Sequence, residues 1–488
     1  MDTNQSDIVV IGAGMAGLSA AALLAAGGRK VTVLEANWLP GGCASSYPRK
    51  GRIFEAGATT LVGLGGGLPL QFVLDRLGLS LPAIHLDTPM RIHLKNGQTL
   101  TRHEDLDQWI TEAERVFGPA GQRAFWKKCY GIARFVWETS LVQRAFPPRT
   151  IGDLWFAARH FRPRQIAFAA LAFRSTRSLL RKHGLDQNPD FVDFVNEQLL
   201  ITAQNHLDEV NVLFGATALC YTNFPNYYLP GGLIQLAEPL AQAIRDRGGD
   251  VLLRHRVQAV TQHAAGYEVA SDKGVWQCRQ VVFAVPANNT AELFAAALPG
   301  RRLKHKTMPS AKLRSAFQMG IVVKGPHPDT CIHHQIHLKE KLPVIGSDSI
   351  FLSMSHPADA SRAEPGEWVA SVSTHIFDPE KTIIEDKSVV EQAILKVLAD
   401  EGFIQPDQIV FFHSSTPKSW QKWTGRKWGF VGGYPQYMRI RPWEMLEARL
   451  DRSGAYQCGD STYPGQGIPG ACLSGIVAWQ KMKLDGRI

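Results

Sequence analysis

Between Ile8 and Glu35 the apolar pattern changes period twice. An apolar run, residues 8–11, stops at Gly12-Ala13-Gly14, and a helix-forming stretch rich in Ala and Leu follows. A β-branched run, Val31-Thr32-Val33, then ends on the acid Glu35. The pattern predicts strand, tight turn, helix, strand. Residues 8–26 hold one polar side chain, Ser19, so a membrane span or signal peptide competes with this reading. Asp2 and Asp7 stand where a signal peptide needs positive charge, no small-residue cleavage site follows, and glycines cluster at one end. No spanning helix is expected anywhere in the chain.

Farther on, Leu229-Pro230-Gly231-Gly232 leads into an amphipathic helix over 233–247, closed by Gly248-Gly249. Short strands are predicted at 251–253, 257–262, 267–270, 275–278 and 281–285, the middle ones joined by turns as a meander. Residues 80–226 read as mostly helical and basic, and 300–425 as strands with one helix over 388–401. These textures divide the chain into an interleaved pair of domains. The first comprises 1–80, 228–300 and 426–488; the second comprises 81–227, largely helical, and 301–425. The expected fold class is α/β, a Rossmann-type domain with an interleaved α+β domain.

The first turn carries chemistry. Gly12, Gly14 and Gly17 are spaced G-x-G-x-x-G between strand and helix, with Glu35 eighteen residues after the last. Gly12 permits the turn, Gly14 lets a pyrophosphate approach the backbone, and Gly17 lets the helix sit close on the strand. The helix N-terminus offers free N–H groups to phosphates, and Glu35 can accept hydrogen bonds from a ribose. A plain dinucleotide half would place a helix where the meander lies. The meander is typical of the FAD-binding fold of the glutathione reductase and amine oxidase kind, so FAD is preferred over NAD.

Near the C-terminus stands Gly459-Asp460-Ser461-Thr462-Tyr463-Pro464-Gly465-Gln466-Gly467-Ile468-Pro469-Gly470. A strand ending in Gly-Asp, a glycine-rich loop and a helix from about Pro469 would pass beneath a flat ring. Asp460 can accept from ribityl hydroxyls, and the helix N-terminus can stabilise negative charge on a reduced ring. With this motif the chain resembles the carotenoid desaturase and isomerase family, the phytoene desaturase-like flavoproteins, at 12–35, 41–59, 229–257 and 459–475. It looks most like the branch of carotene isomerases and cyanobacterial-type desaturases, and Trp423-Thr424-Gly425-Arg426 leans toward the latter. The resemblance implies that Gly12, Gly14, Gly17 and Glu35 hold the adenosine diphosphate half of FAD. It implies that Gly41, Gly42 and the Gly57-Ala58-Thr59 turn approach the pyrophosphate and isoalloxazine, and that the Val257 backbone meets the adenine. Gly459, Asp460, Gly467 and Ile468 would meet the ribityl chain and ring. Cys43 stands where flavin amine oxidases usually carry Arg after Gly-Gly, and Glu55 where many desaturases have Asp.

The resemblance implies hydride transfer from a long apolar polyene to flavin with loss of a proton, that is, carotenoid desaturation, with quinone or oxygen as electron acceptor. Delocalisation of charge along existing double bonds removes the need for a strong base, and no catalytic residue is assigned. The alternatives are a cis–trans isomerase using reduced FAD, a flavin amine oxidase, and a non-enzymatic lipid carrier whose FAD motifs would have decayed.

Composition adds less. The chain has 488 residues, 45% hydrophobic, with seven cysteines and no C-x-x-C pair, which fits a reducing compartment. The net charge is +9, concentrated over 141–184, where nine Lys or Arg face one acid, Asp153. Aromatic and aliphatic residues interleave with them, which suits an interfacial segment on anionic lipid; the competing reading is a pair of core helices with a solvated basic face. No nucleic-acid motif accompanies the patch. A forty-carbon substrate would lose roughly 30 kcal/mol on entering water at ~0.8 kcal/mol per methylene, so direct passage from a bilayer is expected. The expected location is cytoplasmic and peripheral to a membrane. His333, His334 and His337 are expected to be solvated or substrate-lining, not metal ligands. The aromatic residues Trp420, Trp423, Trp428, Phe430, Tyr434 and Tyr437 could line a channel or cage, or pack in a core.

Overall fold

The computed structural model describes residues 3–488; Asp2, weighed above against a leader, lies outside them. β1 (Thr3–Ile11), α1 (Met15–Ala26) and β2 (Val31–Leu34) form the expected strand–helix–strand unit. β1 sits inside a seven-stranded sheet, flanked by β2 and then Asp250–Leu252 on one side and by Val275–Phe283 on the other, all parallel. Beyond Val275–Phe283 lies the antiparallel meander of Gly266–Ser271 and Val257–His263, while the closing strand Ala455–Gln457 pairs in parallel with residues 281–283. The two strands expected at 275–278 and 281–285 are one. β1 pairs with its whole length, from Thr3 opposite Val275 to Ile11 opposite Phe283.

α1 is apolar on every side because it is buried on every side, which explains its membrane-like composition. It is held between the sheet and the helices Ile234–Arg245 and Ile468–Leu484. A Cβ on Gly475 would lie 2.4 Å from the Ala16 carbonyl oxygen, a measure of how closely the last helix crosses the first.

A second seven-stranded sheet runs in the order Ile409–Ser415, Arg314–Lys324, Glu367–Phe377, Ser349–Met354, His333–His337, Met90–His93, Thr99–Arg102. Its last two strands form a hairpin inside the region expected to be mostly helical. Two helices, Leu298–Lys304 and Pro417–Thr424, stand beside the expected Ser388–Asp400 between residues 298 and 425. Strand alternation gives this sheet two faces. Phe317, Met319, Ile350, Leu352, Val372 and Ile376 pack with the helix Ser388–Asp400 in one apolar core. The opposite face is polar, and much of it is equally buried. The helices Gln122–Val142, Pro189–Ala203 and Val212–Leu219 share another core, centred on Trp109, Trp126, Phe191 and Phe194.

Residues 141–184 are not the pair of core helices of the competing reading. They make three short helices, Ile151–Arg159, Arg164–Ala169 and Thr176–Lys182. The first is capped reciprocally by Thr150 and Asp153 and turns Ile151, Leu154 and Trp155 to solvent. Among the described residues no helix is long and apolar enough to cross a membrane.

Candidate active site

The three glycines of the first turn do three different things. Gly12 has φ +103°, and a Cβ there would sit 3.0 Å from the Ala284 carbonyl oxygen. A Cβ on Gly17 would lie 2.1 Å from the Gly12 carbonyl oxygen, so helix and strand touch there. Gly14 has nothing within 4 Å of the same position. It is the N-cap of α1, and no side chain caps that helix, so the N–H groups of its first turn face open space. This is a cradle that a phosphate would fill.

At the end of β2 the Glu35 carboxylate accepts the Ala13 and Asn37 N–H groups, each at 2.7 Å. Burial pushes its pKa up, and these two hydrogen bonds oppose the rise. Each oxygen retains a lone pair for a ribose hydroxyl.

From this cradle a cavity of about 620 Å³ runs to the second sheet. Gly12, Gly14, Glu35, Gly41, Gly42, Gly57, Ala58, Thr59, Val257, Gly459, Asp460, Gly467 and Ile468 all line it. Gly17 does not, as its packing role requires. The last helix begins at Ile468 with Gly467 as its N-cap, again without a side-chain cap. Beyond Thr59 and Ile468 the cavity opens between Val136, Trp137, Ile201, Phe214 and Ala218 on the helices and the polar face of the second sheet.

Some assignments change. Asp460 is not free to face a ribityl chain alone: Arg426 donates to both its oxygens, at 3.0 and 2.8 Å. Burial disfavours the Arg426 cation, but Asp460 outweighs this and raises its pKa. Arg426 also lies within the field of Cys43, whose thiol burial pushes up. A guanidinium from a distant segment therefore lines the same cavity as the Gly41-Gly42-Cys43 loop, although the loop itself carries Cys where the resemblance would put Arg in amine oxidases. In the sequence Arg426 closes Trp423-Thr424-Gly425-Arg426, thirty-four residues from Asp460, and no local pattern marks its role. Glu55 is structural: it accepts from the Ser46 hydroxyl and Leu233 N–H and pairs with Arg362 at 2.8 Å.

The histidines of 333–337 are buried, not solvated, and none lines the cavity. Their rings meet Ser353, Cys331 and Asp193, and burial lowers His333 to about 3 and His334 to about 4. The aromatic run divides. Trp420 and Trp423 line the cavity, while Phe430 and Tyr434 lie in a core against which Trp428 and Tyr437 pack.

Residues 15–480 match the family described as flavin containing amine oxidoreductase. The chain belongs to that family. It is an FAD-dependent oxidoreductase, and the open glycine cradle, the uncapped helix ends and Glu35 fit that cofactor. The resemblance to carotenoid desaturases and isomerases holds as well. A chloroplastic prolycopene isomerase of Arabidopsis thaliana is 25% identical, over 98% of this chain and 83% of its own length. A hydroxyneurosporene desaturase of Rhodobacter capsulatus is 32% identical over 38% of this chain and 37% of its own length. Among solved structures, a doubly substituted putrescine oxidase superposes with a TM-score of 0.64 at 16% identity, covering 99% of this chain and all of that one. The fold is thus that of the flavin amine oxidases.

Proposed function

We propose that this enzyme desaturates a long apolar polyene of the carotenoid class. The observation that carries the reading is the continuity of one cavity from the glycine cradle into a chamber roofed by Val136, Trp137, Ile201, Phe214 and Ala218. Gly12, Gly14, Glu35, Val257, Gly41 and Gly42 would hold the adenosine diphosphate half of FAD; Ala58, Thr59, Asp460 and Ile468 would flank the rest. Bound there, FAD supplies a two-electron acceptor for a hydride. The substrate gives up that hydride from one carbon and a proton from its neighbour, and its conjugated system spreads the charge between the two losses. The roof keeps water from the reacting carbons, and Arg426 with Asp460 fixes the loop beneath the ring. A quinone or oxygen takes up the electrons in each cycle.

Polyene isomerisation is the second reading, favoured by the span of the match to prolycopene isomerase. Anaerobic reaction of the oxidised holoenzyme with carotenoid substrates in vesicles separates the two. Desaturation bleaches the flavin absorbance once and lengthens the chromophore, then stops until an acceptor is added. Isomerisation needs prior reduction and turns over without an acceptor. Peroxide release from soluble amines, with no action on any polyene, would overturn both.

The substrate enters from a membrane. The short helices over 151–169 expose Ile151, Trp155 and Ile166 at 86%, 66% and 68%; beside them Arg159, which stands over the Trp155 ring, Arg162 and Arg164 have no carboxylate partner among the described residues. Apolar side chains ringed by unpaired arginines suit the headgroup boundary of an anionic bilayer.

A further inference from the structure

Away from the flavin site, three cations meet where three helices end. Arg76 lies in the last turn of Pro69–Leu77, Lys483 in the last turn of Ile468–Leu484, and Arg144 just past Gln122–Val142. Their charged groups share one pair of aromatic rings. Arg76 lies over Phe72 at 4.6 Å and over Trp479 at 5.1 Å. Arg144 shares Phe72 with it at 5.8 Å, and Lys483 shares Trp479 at 4.3 Å. The two rings touch edge to face, with centroids 6.4 Å apart.

No acid balances them. None of the three has a carboxylate partner among the described residues; Asp75 is held by the Gln71 amide, and Asp485 by Arg449 and the Tyr456 hydroxyl. Burial disfavours the Arg144 cation, and Arg76 adds to the effect. Burial also disfavours Lys483, with Arg76 and then Arg144 adding to it. A helix C-terminus carries about half a negative charge, which accounts for each cation taken singly. Where three meet, positive charge remains in excess. Nor does a helix end explain why Arg144, half-buried and donating to the Gln480 amide oxygen at 3.0 Å, stands over both Phe72 and Phe156.

We infer that Arg76, Arg144 and Lys483 bind the phosphomonoester headgroup of a membrane lipid. A phosphomonoester carries about 1.5–2 negative charges at pH 7 and three strong acceptor oxygens. It would turn the repulsion among the cations into charge-assisted hydrogen bonds. The rings hold the two guanidinium groups in place, and Arg76 and Lys483 are exposed and free to close on the anion. Position favours a lipid over phosphate in solution. Phe156, under Arg144 at 5.5 Å, belongs to the helix Ile151–Arg159, whose Ile151, Leu154 and Trp155 are exposed. A headgroup at the cluster would thus have its acyl chains beside that apolar face. The inference rests on the membrane reading above and adds a single headgroup site to it.

The test uses FAD-loaded enzyme and phosphatidylcholine vesicles containing either phosphatidic acid, a phosphomonoester, or phosphatidylglycerol, a phosphodiester. The two vesicles are matched in surface potential, and binding is read by co-sedimentation. Wild type should bind the phosphatidic acid vesicles about tenfold more tightly. Arg76→Gln with Lys483→Gln should bring that ratio to one, whatever it does to binding of both. Both positions are exposed, and unchanged flavin content and melting temperature show that the variant is folded. Equal binding of the two vesicles by wild type, or a variant that keeps the wild-type ratio, overturns the inference and leaves the membrane reading in place. Loss of the preference in excess inorganic phosphate at constant ionic strength would assign the cluster to a soluble phosphate and overturn the lipid headgroup. Binding of neither vesicle overturns the membrane reading, and this inference with it.

Discussion

Gly14 and Gly17 are three residues apart, and substitution at each reports on something different. A Cβ on Gly17 collides with the Gly12 carbonyl oxygen, whereas one on Gly14 enters open space at φ −72°, a backbone angle any residue adopts. Gly17→Ala should therefore destabilise the apoprotein by several kcal/mol, on the order of overpacking in a core, ~1–3 kcal/mol or more. Gly14→Ala should leave apoprotein melting unchanged within about a degree but weaken FAD binding, because the methyl occupies the phosphate's place. Thermal unfolding and fluorescence titration with FAD measure the two effects. Comparable melting losses at both positions would contradict the packing described for Gly17. The pair Arg426–Asp460 is read in the same way. Removing either partner leaves a charge unmatched in a mostly buried place, at a cost of about 2–3 kcal/mol after allowance for cavity exposure. The double variant Arg426→Met with Asp460→Asn should then unfold at higher urea than either single variant. Additive losses would show that the pair is not coupled.

Elements close in sequence were legible, and those assembled from distant segments were not. The strand–helix–strand unit follows from local period and three glycines, and the meander from its turns. The hairpin Met90–Arg102 within 80–226 carries a local signal that the helical reading passed over, Asn96-Gly97 between the alternating Met90, Ile92, Leu94 and Leu100; its further pairing with His333–His337, with His334 opposite Arg91, joins distant segments. No local pattern announces such a pairing. The polar face of the second sheet was visible as alternation in His333, Gln335, His337 and in Ser349, Phe351, Ser353. What could not be read was that this face turns inward under helices, so histidines that looked solvated are buried. The helix Ile151–Arg159 shows a related limit. Its composition suggested an interface, but its attachment is ionic: buried Asp153 accepts from Arg449 at 2.7 and 2.9 Å and from Lys481 at 2.8 Å. Burial pushes the Asp153 carboxyl up, yet these two cations outweigh it and hold it at about 2. A depressed folded-state pKa contributes stability above the ordinary carboxylate value of about 3.9, and that contribution disappears as pH falls through the folded value. Asp153→Asn should thus lower stability by about 2–3 kcal/mol at neutral pH, since Lys481 loses its closest carboxylate and Arg449 one of its three, Glu447 and Asp485 remaining. The difference from wild type should narrow between about pH 4 and 2, as denaturant unfolding across that range would show; a difference independent of pH would refute this attachment.

At the scale of the whole molecule, the exposed apolar face proposed to meet a membrane and the chamber are joined by continuous helices. The helix Gln122–Val142 lines the chamber with Val136, Trp137 and Ser140, and nine residues after it ends Ile151 opens the exposed apolar face. Lys481, which grips Asp153, belongs to the helix whose first residue, Ile468, lines the cavity, roughly 20 Å away at 1.5 Å per residue. A polyene of bilayer length could span that distance while one end stays among lipids. The basic residues that do the work are not all those counted along the sequence. Arg177 is paired with Asp208 and Arg181 with Asp186, whereas Arg159, Arg162 and Arg164 are exposed and unpaired. Arg159, Arg162 and Arg164 changed to Gln should therefore weaken binding to anionic vesicles by about a hundredfold at low salt, taking up to ~1 kcal/mol for each charge. Changing Arg177 and Arg181 instead should have little effect. Wild-type binding should itself fall as salt rises, since the Debye length shortens from about 10 Å at 0.1 M to about 3 Å at 1 M. Trp155→Ser with Ile166→Ser should lower the salt-resistant part of the binding and slow turnover of vesicle-borne substrate, with flavin content unchanged. Co-sedimentation with vesicles measures each step. If the Gln and Ser variants sediment as wild type does, the face over 151–169 does not bind a bilayer, and the proposed route from membrane to chamber fails.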